Sequence, residues 1–312
     1  MSDSLQRFLL QGAPVRGEIV SLDDAWLEVV NRHELPESVR DRLGELSAAA
    51  LLLAATLKFD GSLVLQIHGD GPVALFVVEC DADGDYRATV KLREEAPAPA
   101  EDASLRELVD VHGKGRFVVT LVPGKPAPGR QPYQGIVPFE GSSVALVLEH
   151  YMARSEQLPT RMWLAADGRR AVGLLLQRLP STGGNAPLAP PAAETPIDDD
   201  DAWNRMQQLA DTITRGELLR LAPEHVIRRL FWQEPLHAFD ERQCRFACTC
   251  TREKVASMLR MLGEEEVEGI VTERGAVEVR CEFCNLPYTF DRVDCAELFV
   301  PVVSGPGPSR LQ

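Results

Sequence analysis

Cys248-Thr249-Cys250 and Cys281-Glu282-Phe283-Cys284 set two close pairs of thiols thirty residues apart near the end of a 312-residue chain. Brought together by the segment between them, the pairs supply four sulfurs, the donor set that zinc takes in closed tetrahedral sites. The segment that carries them, 244–312, is too small to build a robust core alone, so a metal would add folding energy that packing cannot. Cys250 stands just before a helix that Thr251 can cap, with Arg252 and Lys254 close by in sequence. The helix dipole and both cations favour thiolate, which binds metal and is also the form oxidants attack.

Four such ligands fit an inert ribbon as well as a switch. The CxC spacing is tighter than the paired CxxC of most ribbons, and a disulfide across one intervening residue closes a strained, labile ring. If the site is oxidised, each pair is already adjacent, which favours Cys248–Cys250 and Cys281–Cys284 among the three pairings of four cysteines. Three cysteines of the seven remain. Cys80 ends an apolar strand and reads as buried filler, Cys295 reads as a half-buried hydrophobe, and Cys244 as a spare thiol or alternative ligand.

Outward from the cluster, residues 1–180 read as a mixed α+β core domain. Short aliphatic or β-branched runs at Val15–Leu22, Leu63–His68, Val73–Cys80, Arg87–Leu92, Phe117–Val122 and Gly173–Leu179 predict strands. Glu37–Leu57 follows Pro36 and becomes apolar nearly all round, which predicts a buried helix packed on a sheet. Ser142–Glu156 predicts a second helix. At Pro180 the composition shifts. Ser181–Pro196, rich in Gly, Pro, Ala and Ser, and the run Asp198–Asp201 predict a flexible linker, poorly ordered over 181–200, within a linker region at 181–243. Two short amphipathic helices follow, with Trp203, Met206 and Ile213 on one stripe and Val226, Ile227, Leu230 and Phe231 on another. Helices this short are marginal alone. They either dock on the first domain or form a metastable element that releases, and in the second case these seven residues become a client-binding surface. In 244–312, helices are predicted at Thr251–Leu262, with Val255, Met258, Leu259 and Leu262 inward, and at Glu264–Val271. A strand at Ala276–Arg280 is answered by Tyr288 and Phe290.

With these motifs in place, the chain resembles the redox-regulated 33 kDa heat-shock chaperone family over nearly its whole length. The C-terminal likeness rests on Phe246-Ala-Cys248-Thr-Cys250-Thr-Arg-Glu-Lys, on Gly263-Glu-Glu-Glu, and on Cys281-Glu-Phe-Cys284 with Tyr288 and Phe290. Earlier motifs are Val15-Arg-Gly-Glu18, Thr56-Leu-Lys-Phe-Asp-Gly61, Gln66-Ile-His-Gly-Asp-Gly-Pro72, Tyr133-Gln-Gly-Ile-Val137 and Ser155-Glu-Gln-Leu-Pro159. The resemblance implies an ATP-independent holdase that binds one zinc ion and is inactive when reduced. Oxidation by peroxide or hypochlorite under unfolding stress then releases zinc and forms Cys248–Cys250 and Cys281–Cys284. The sensor and linker loosen, unfolding client proteins bind, and the activated protein tends to form a homodimer. Cys244 and Cys295 are additional to the family's four cysteines.

Composition excludes other classes. Forty-seven acidic against thirty-three basic residues give a net charge of −14, which repels nucleic acid and anionic membranes. Segment 244–312 itself holds 11 acidic and 8 basic residues, the wrong sign for a zinc-ribbon nucleic-acid binder. A thiol–disulfide oxidoreductase would open a helix with its CxxC, but Cys284 leads into Asn285-Leu286-Pro287. The six histidines lack catalytic metal spacing, so no enzyme activity is expected. Neither a signal sequence nor a membrane span is legible, and the expected location is the cytoplasm.

Overall fold

The computed structural model describes residues 3–57, 59–124, 131–180 and 199–300, which fall into two compact units, Met1–Ala247 and Cys248–Gln312. The first unit opens with β1 (Ser4–Leu10), β2 (Val15–Leu22), α1 (Asp24–Val30) and α2 (Glu37–Thr56). Three strands follow, β3 (Gly61–His68), β4 (Val73–Asp81) and β5 (Asp85–Leu92), then α3 (Leu105–Val109), β6 (Arg116–Pro123) and β7 (Tyr133–Pro138). Next come α4 (Val144–Tyr151), a π-helical turn at Met152–Glu156, β8 (Thr160–Ala166) and β9 (Ala171–Arg178). The poor order expected of 181–200 lies outside the described residues up to 198, whereas Asp199 and Asp200 are helical. The unit closes with α5 (Asp199–Ala210), α6 (Arg215–Arg220), α7 (Pro223–Phe231) and three short strands, β10 (Leu236–Ala238), β11 (Arg242–Gln243) and β12 (Arg245–Phe246).

Two sheets result. One runs β10-β1-β2-β9-β8, with β11 also paired to β1, and the other runs β12-β5-β4-β3-β6-β7. Every pairing is antiparallel except β12 with β5. The helix predicted to pack on one sheet packs on strands of both. That explains its all-round apolarity: Leu43, Leu46, Ala48, Ala49, Ala50 and Leu52 are wholly buried. Close approach demands small residues, and a Cβ on Gly44 would stand 2.5 Å from the Ala166 methyl.

The first sheet is buried on both faces. Along β9, Ala171 and Leu175 face α2, whereas Val172, Leu174 and Leu176 face α5–α7. Alternation therefore yields a continuous apolar strand in place of an apolar–polar one. Trp203, Met206, Val226, Leu230 and Phe231 are buried against Phe8, Leu10, Val15 and Ile19, with Ile213 and Ile227 partly buried beside them. The helices are thus docked, and polar contacts secure them. Arg170, itself buried, donates through Nη1 to the Leu219 and Leu221 carbonyls at 3.0 Å each and contacts Ser21 and Asp23 behind. Arg215 reaches Asp41 at 3.0 Å, and Arg205 reaches Glu234 at 2.7 Å. Asp199, Asp200 and Asp201, read from sequence as linker, form the first turn of α5, where carboxylates complement the helix dipole. Arg178 pairs with Asp200 at 2.6 Å.

The second unit comprises α8 (Arg252–Leu262), α9 (Glu264–Arg274), the hairpin β13 (Val277–Arg280) and β14 (Pro287–Phe290), and α10 (Arg292–Phe299), which no sequence signal announced. Its core is small: Ala256, Leu259, Val267, Val271, Val277, Tyr288, Phe290 and Cys295. Helix α8 is rotated from the predicted face, leaving Met258 45% and Leu262 52% exposed. At its start, Arg252 lies 4.1 Å from the Phe290 ring centroid, pairs with Asp294 at 2.8 Å and donates to the Thr289 carbonyl at 2.7 Å. Cys295 is buried more fully than the half-buried position expected for it.

Gly17 on β2 faces the Phe8 ring so closely that an added Cβ would fall 2.0 Å from Phe8 Cζ, and Phe8 in turn packs on Phe231 at 5.7 Å between centroids. Gly17→Ala therefore forces Phe8 into α7. Urea unfolding of the first unit is expected to show a loss of about 1–3 kcal/mol, the usual cost of overpacking, with faster amide exchange in α7 than in α2. Unchanged exchange in α7 would refute the coupling.

Candidate metal and redox centre

The extended segment before α8 carries Cys248 and Cys250, and the β13–β14 turn carries Cys281 and Cys284. In that turn Asn285 N donates to the Cys281 carbonyl at 2.8 Å, and Cys281 N donates to the Leu286 carbonyl at 3.0 Å. Asn285 adopts a left-handed conformation at φ 57°, which asparagine tolerates better than most residues. The CxxC thus sits in a hairpin turn and opens no helix, unlike that of a thioredoxin-type oxidoreductase. Thr251 caps α8 as expected, its side chain accepting from Lys254 N at 3.2 Å.

All four sulfurs lie within 4.8 Å of one another, with Cys248 3.6 Å from Cys281 and Cys250 3.3 Å from Cys284. A tetrahedron with metal–sulfur distances of about 2.3 Å has edges of about 3.8 Å, so the donor set and its spacing fit zinc. Each cysteine is half-buried, reachable by a small oxidant. Among the described residues no other group of three or more His, Cys, Asp or Glu side chains converges in this way.

The four thiols are not equivalent. At Cys250 burial pushes the thiol up, but the Tyr288 hydroxyl, donating at 3.1 Å, and the neighbouring sulfurs of Cys284, Cys248 and Cys281 outweigh it and bring it down to about 7. Cys284 is pushed up to about 12 by burial and by its contacts to the other sulfurs, and burial also raises Cys248. The shift at Cys250 runs in the direction read from the sequence, and the Tyr288 hydroxyl adds a source the sequence did not show, whereas the two cations are engaged elsewhere. Arg252 is engaged by Asp294 and Phe290, and Lys254 Nζ donates to the Thr249 carbonyl at 2.6 Å. Tyr288 was legible only as an apolar strand position, because nothing in the alternation of β14 says where its hydroxyl points.

The other cysteines are sequestered. Cys80 and Cys244 are buried in the first unit, where burial pushes the Cys244 thiol up to about 12 and raises Cys80 well above its ordinary value. Cys295 is buried in the second unit's core, its thiol 3.6 Å from the Phe290 carbonyl.

The Hsp33 protein family model matches residues 3–291. The chain belongs to the Hsp33 family. It is 48% identical to the 33 kDa chaperonin of Methylobacillus flagellatus over 98% of both chains. It is 44% identical to the 33 kDa chaperonin of Chromobacterium violaceum over 95% of this chain and 94% of that one. The crystal structure of the 33 kDa chaperonin (heat shock protein 33 homolog) from Thermotoga maritima shares its fold, with a TM-score of 0.74 at 22% identity over 95% of this chain and 97% of that one. As an Hsp33-type protein the chain is a redox-regulated chaperone and not an enzyme, and its cysteine cluster is capable of metal and disulfide chemistry. None of its described helices is long and apolar enough to cross a membrane.

Tyr288→Phe removes the hydroxyl from Cys250 while keeping the ring in the core. In metal-free protein the Cys250 thiol then moves up toward the ordinary cysteine range, near 8.5. Alkylation of Cys250 at pH 7 is expected to slow by roughly 5- to 10-fold, since only the thiolate reacts. An unchanged pH–rate profile for Cys250 would show that the hydroxyl does not tune it.

Proposed function

We propose that the chain is a cytoplasmic, ATP-independent holdase, held inactive by one zinc ion on Cys248, Cys250, Cys281 and Cys284 and activated when those cysteines are oxidised to two disulfides. The observation that carries this reading is the convergence of four half-buried sulfurs within 4.8 Å in a unit with a core of eight buried apolar residues. A zinc ion bound there would supply folding energy to that unit. The work is divided among a core at 1–180, a linker at 181–243 and a sensor at 244–312.

The chemistry balances with peroxide as oxidant. A thiolate attacks one peroxide oxygen, the O–O bond breaks and, with a proton, water leaves a sulfenic acid. The neighbouring thiolate attacks that sulfur, and a disulfide forms as the second water departs. Bound to zinc, all four sulfurs would be thiolates and open to attack; in metal-free protein Cys250 is the most thiolate-like. Sulfur contacts run across the pairs, Cys248 to Cys281 and Cys250 to Cys284. Bridging within each pair is supported by chain connectivity: once the sulfurs are no longer held together, the CxC and CxxC partners stay adjacent while the thirty residues between the pairs are free to separate them.

Loss of the sensor's staple is proposed to free the linker helices, uncovering Trp203, Met206, Ile213, Val226, Ile227, Leu230 and Phe231 and the sheet face beneath them for unfolding clients. The acidic surface keeps such an opened form soluble, disfavours nucleic acid as partner and leaves homodimerisation through apolar surface open to the oxidised state.

The test treats zinc-loaded protein with peroxide at elevated temperature and follows metal release, disulfide mapping and aggregation of a thermally unfolding client. Release of one zinc, bridges at Cys248–Cys250 and Cys281–Cys284, and suppressed aggregation are expected together. Zinc release without suppression would sink the proposal, and cross-paired peptides would overturn the bridge assignment. In a separate measurement, a strong chelator under reducing conditions is expected to quicken amide exchange across α8 and α9 without unfolding the unit outright, because the sulfurs lose their common partner.

A further inference from the structure

The second sheet of the first unit ends at β7, which pairs with β6 on one side and with no other strand among the described residues. Phe139 N donates to the Gly115 carbonyl at 3.3 Å, and these residues continue the β6–β7 register from the Arg116–Pro138 pair. Bonded and non-bonded pairs alternate in an antiparallel ladder. Tyr133, Gly135 and Val137 therefore direct N–H and C=O toward β6, and the same groups of Gln134 and Ile136 point away from the sheet.

The other edges of this protein are blunted. Strand β8 gives Met162 N to the Glu149 carboxylate at 2.7 Å and carries Arg161. Strands β10, β11 and β12 have only three, two and two residues. Strand β13 carries Glu278 and Arg280, and β14 gives its Thr289 carbonyl to Arg252. Shortness, charge and cover are the usual protections against edge pairing. Strand β7 has six residues, no charge, and Ile136 61% exposed directly opposite Val118.

We propose that the outer edge of β7 is a docking strand for extended, uncharged apolar segments of unfolding clients. This rests on the chaperone reading and adds a site to it. The edge selects its partner: the outward N–H and C=O of Gln134 and Ile136 are satisfied together only by an extended backbone. A strand without charge favours a segment without charge, and such β-prone, weakly charged segments are the ones that aggregate when unfolding exposes them. Ile136 offers that segment an apolar contact on the sheet's outer face.

Two variants test it. Ile136→Pro deletes an outward N–H and leaves the bonds to β6, the setting in which proline is tolerated at an edge. Ile136→Lys keeps the backbone and adds a charge, and it decides the matter if the proline variant does not fold. Each is oxidised with peroxide beside the wild type and compared for zinc release, client aggregation and sedimentation. Expected are equal zinc release and roughly 2- to 10-fold more chaperone needed for equal suppression, the equilibrium equivalent of about one hydrogen bond. Variants that suppress as well as wild type overturn the edge proposal. So does a changed sedimentation of the oxidised variants with unchanged suppression, which would make the edge an interface between copies. A wild type that releases zinc without suppressing removes the chaperone reading itself and the edge with it.

Discussion

A sheet with two apolar faces has to be covered twice, and most of this fold stems from that. Helix α2 covers one face of the β10-β1-β2-β9-β8 sheet, and α5–α7 cover the other. The two covers differ in kind. Helix α2 has twenty residues, lies against strands of both sheets and could leave only by unmaking the whole core. Helices α5–α7 have twelve, six and nine residues, too short to be stable alone, and touch the sheet through one stripe each. A cover of that second kind holds only while its partners hold. The Arg170 clamp on the Leu219 and Leu221 carbonyls matters because it satisfies backbone groups at the end of a six-residue helix that has few contacts of its own.

The second unit obeys the opposite logic. Its buried side chains are few, and much of α8 and α9 faces water. Packing of that size leaves a segment of roughly 50 residues close to marginal, whereas a structural zinc site contributes on the order of 10 kcal/mol. A bond of that strength to thiolates is also chemically vulnerable, since the electron density that binds the metal is what an oxidant removes. With zinc bound as proposed, stability and sensitivity would reside in the same four atoms.

Much of this was legible in the sequence because it rests on spacing. Val15–Leu22 matches β2 at both ends, and Pro36 marks the start of α2. The four cysteines converge as their pairing implied. Elements without periodicity were not legible. The short strands β10, β11 and β12 exist because neighbouring edges accept them, and α10 packs around Cys295 with no moment of its own to betray it. Side-chain direction was equally hidden. Met258 and Leu262 share the helical spacing of Leu259, but Ala256 and Leu259 are the residues α8 turns inward. The aspartate run at 198–201 misled for a related reason. Acidic residues suit a solvated linker and a helix N-terminus alike, and the apolar stripe that starts at Trp203 is what separates the two.

Such a protein must also keep its client-binding chemistry from acting on itself. In the proposed mechanism the cover of the client-binding face is part of the chain, which fixes its local concentration and makes its release a matter of conformation. The net charge of −14 then acts in both states. It limits association of covered molecules and restrains self-association of opened ones, while leaving an unfolding client, whose exposed segments are poor in charge, free to approach. Selectivity of this kind requires no recognition of sequence. On the proposed reading it requires only apolar surface on an acidic protein, presented when the four thiols are oxidised.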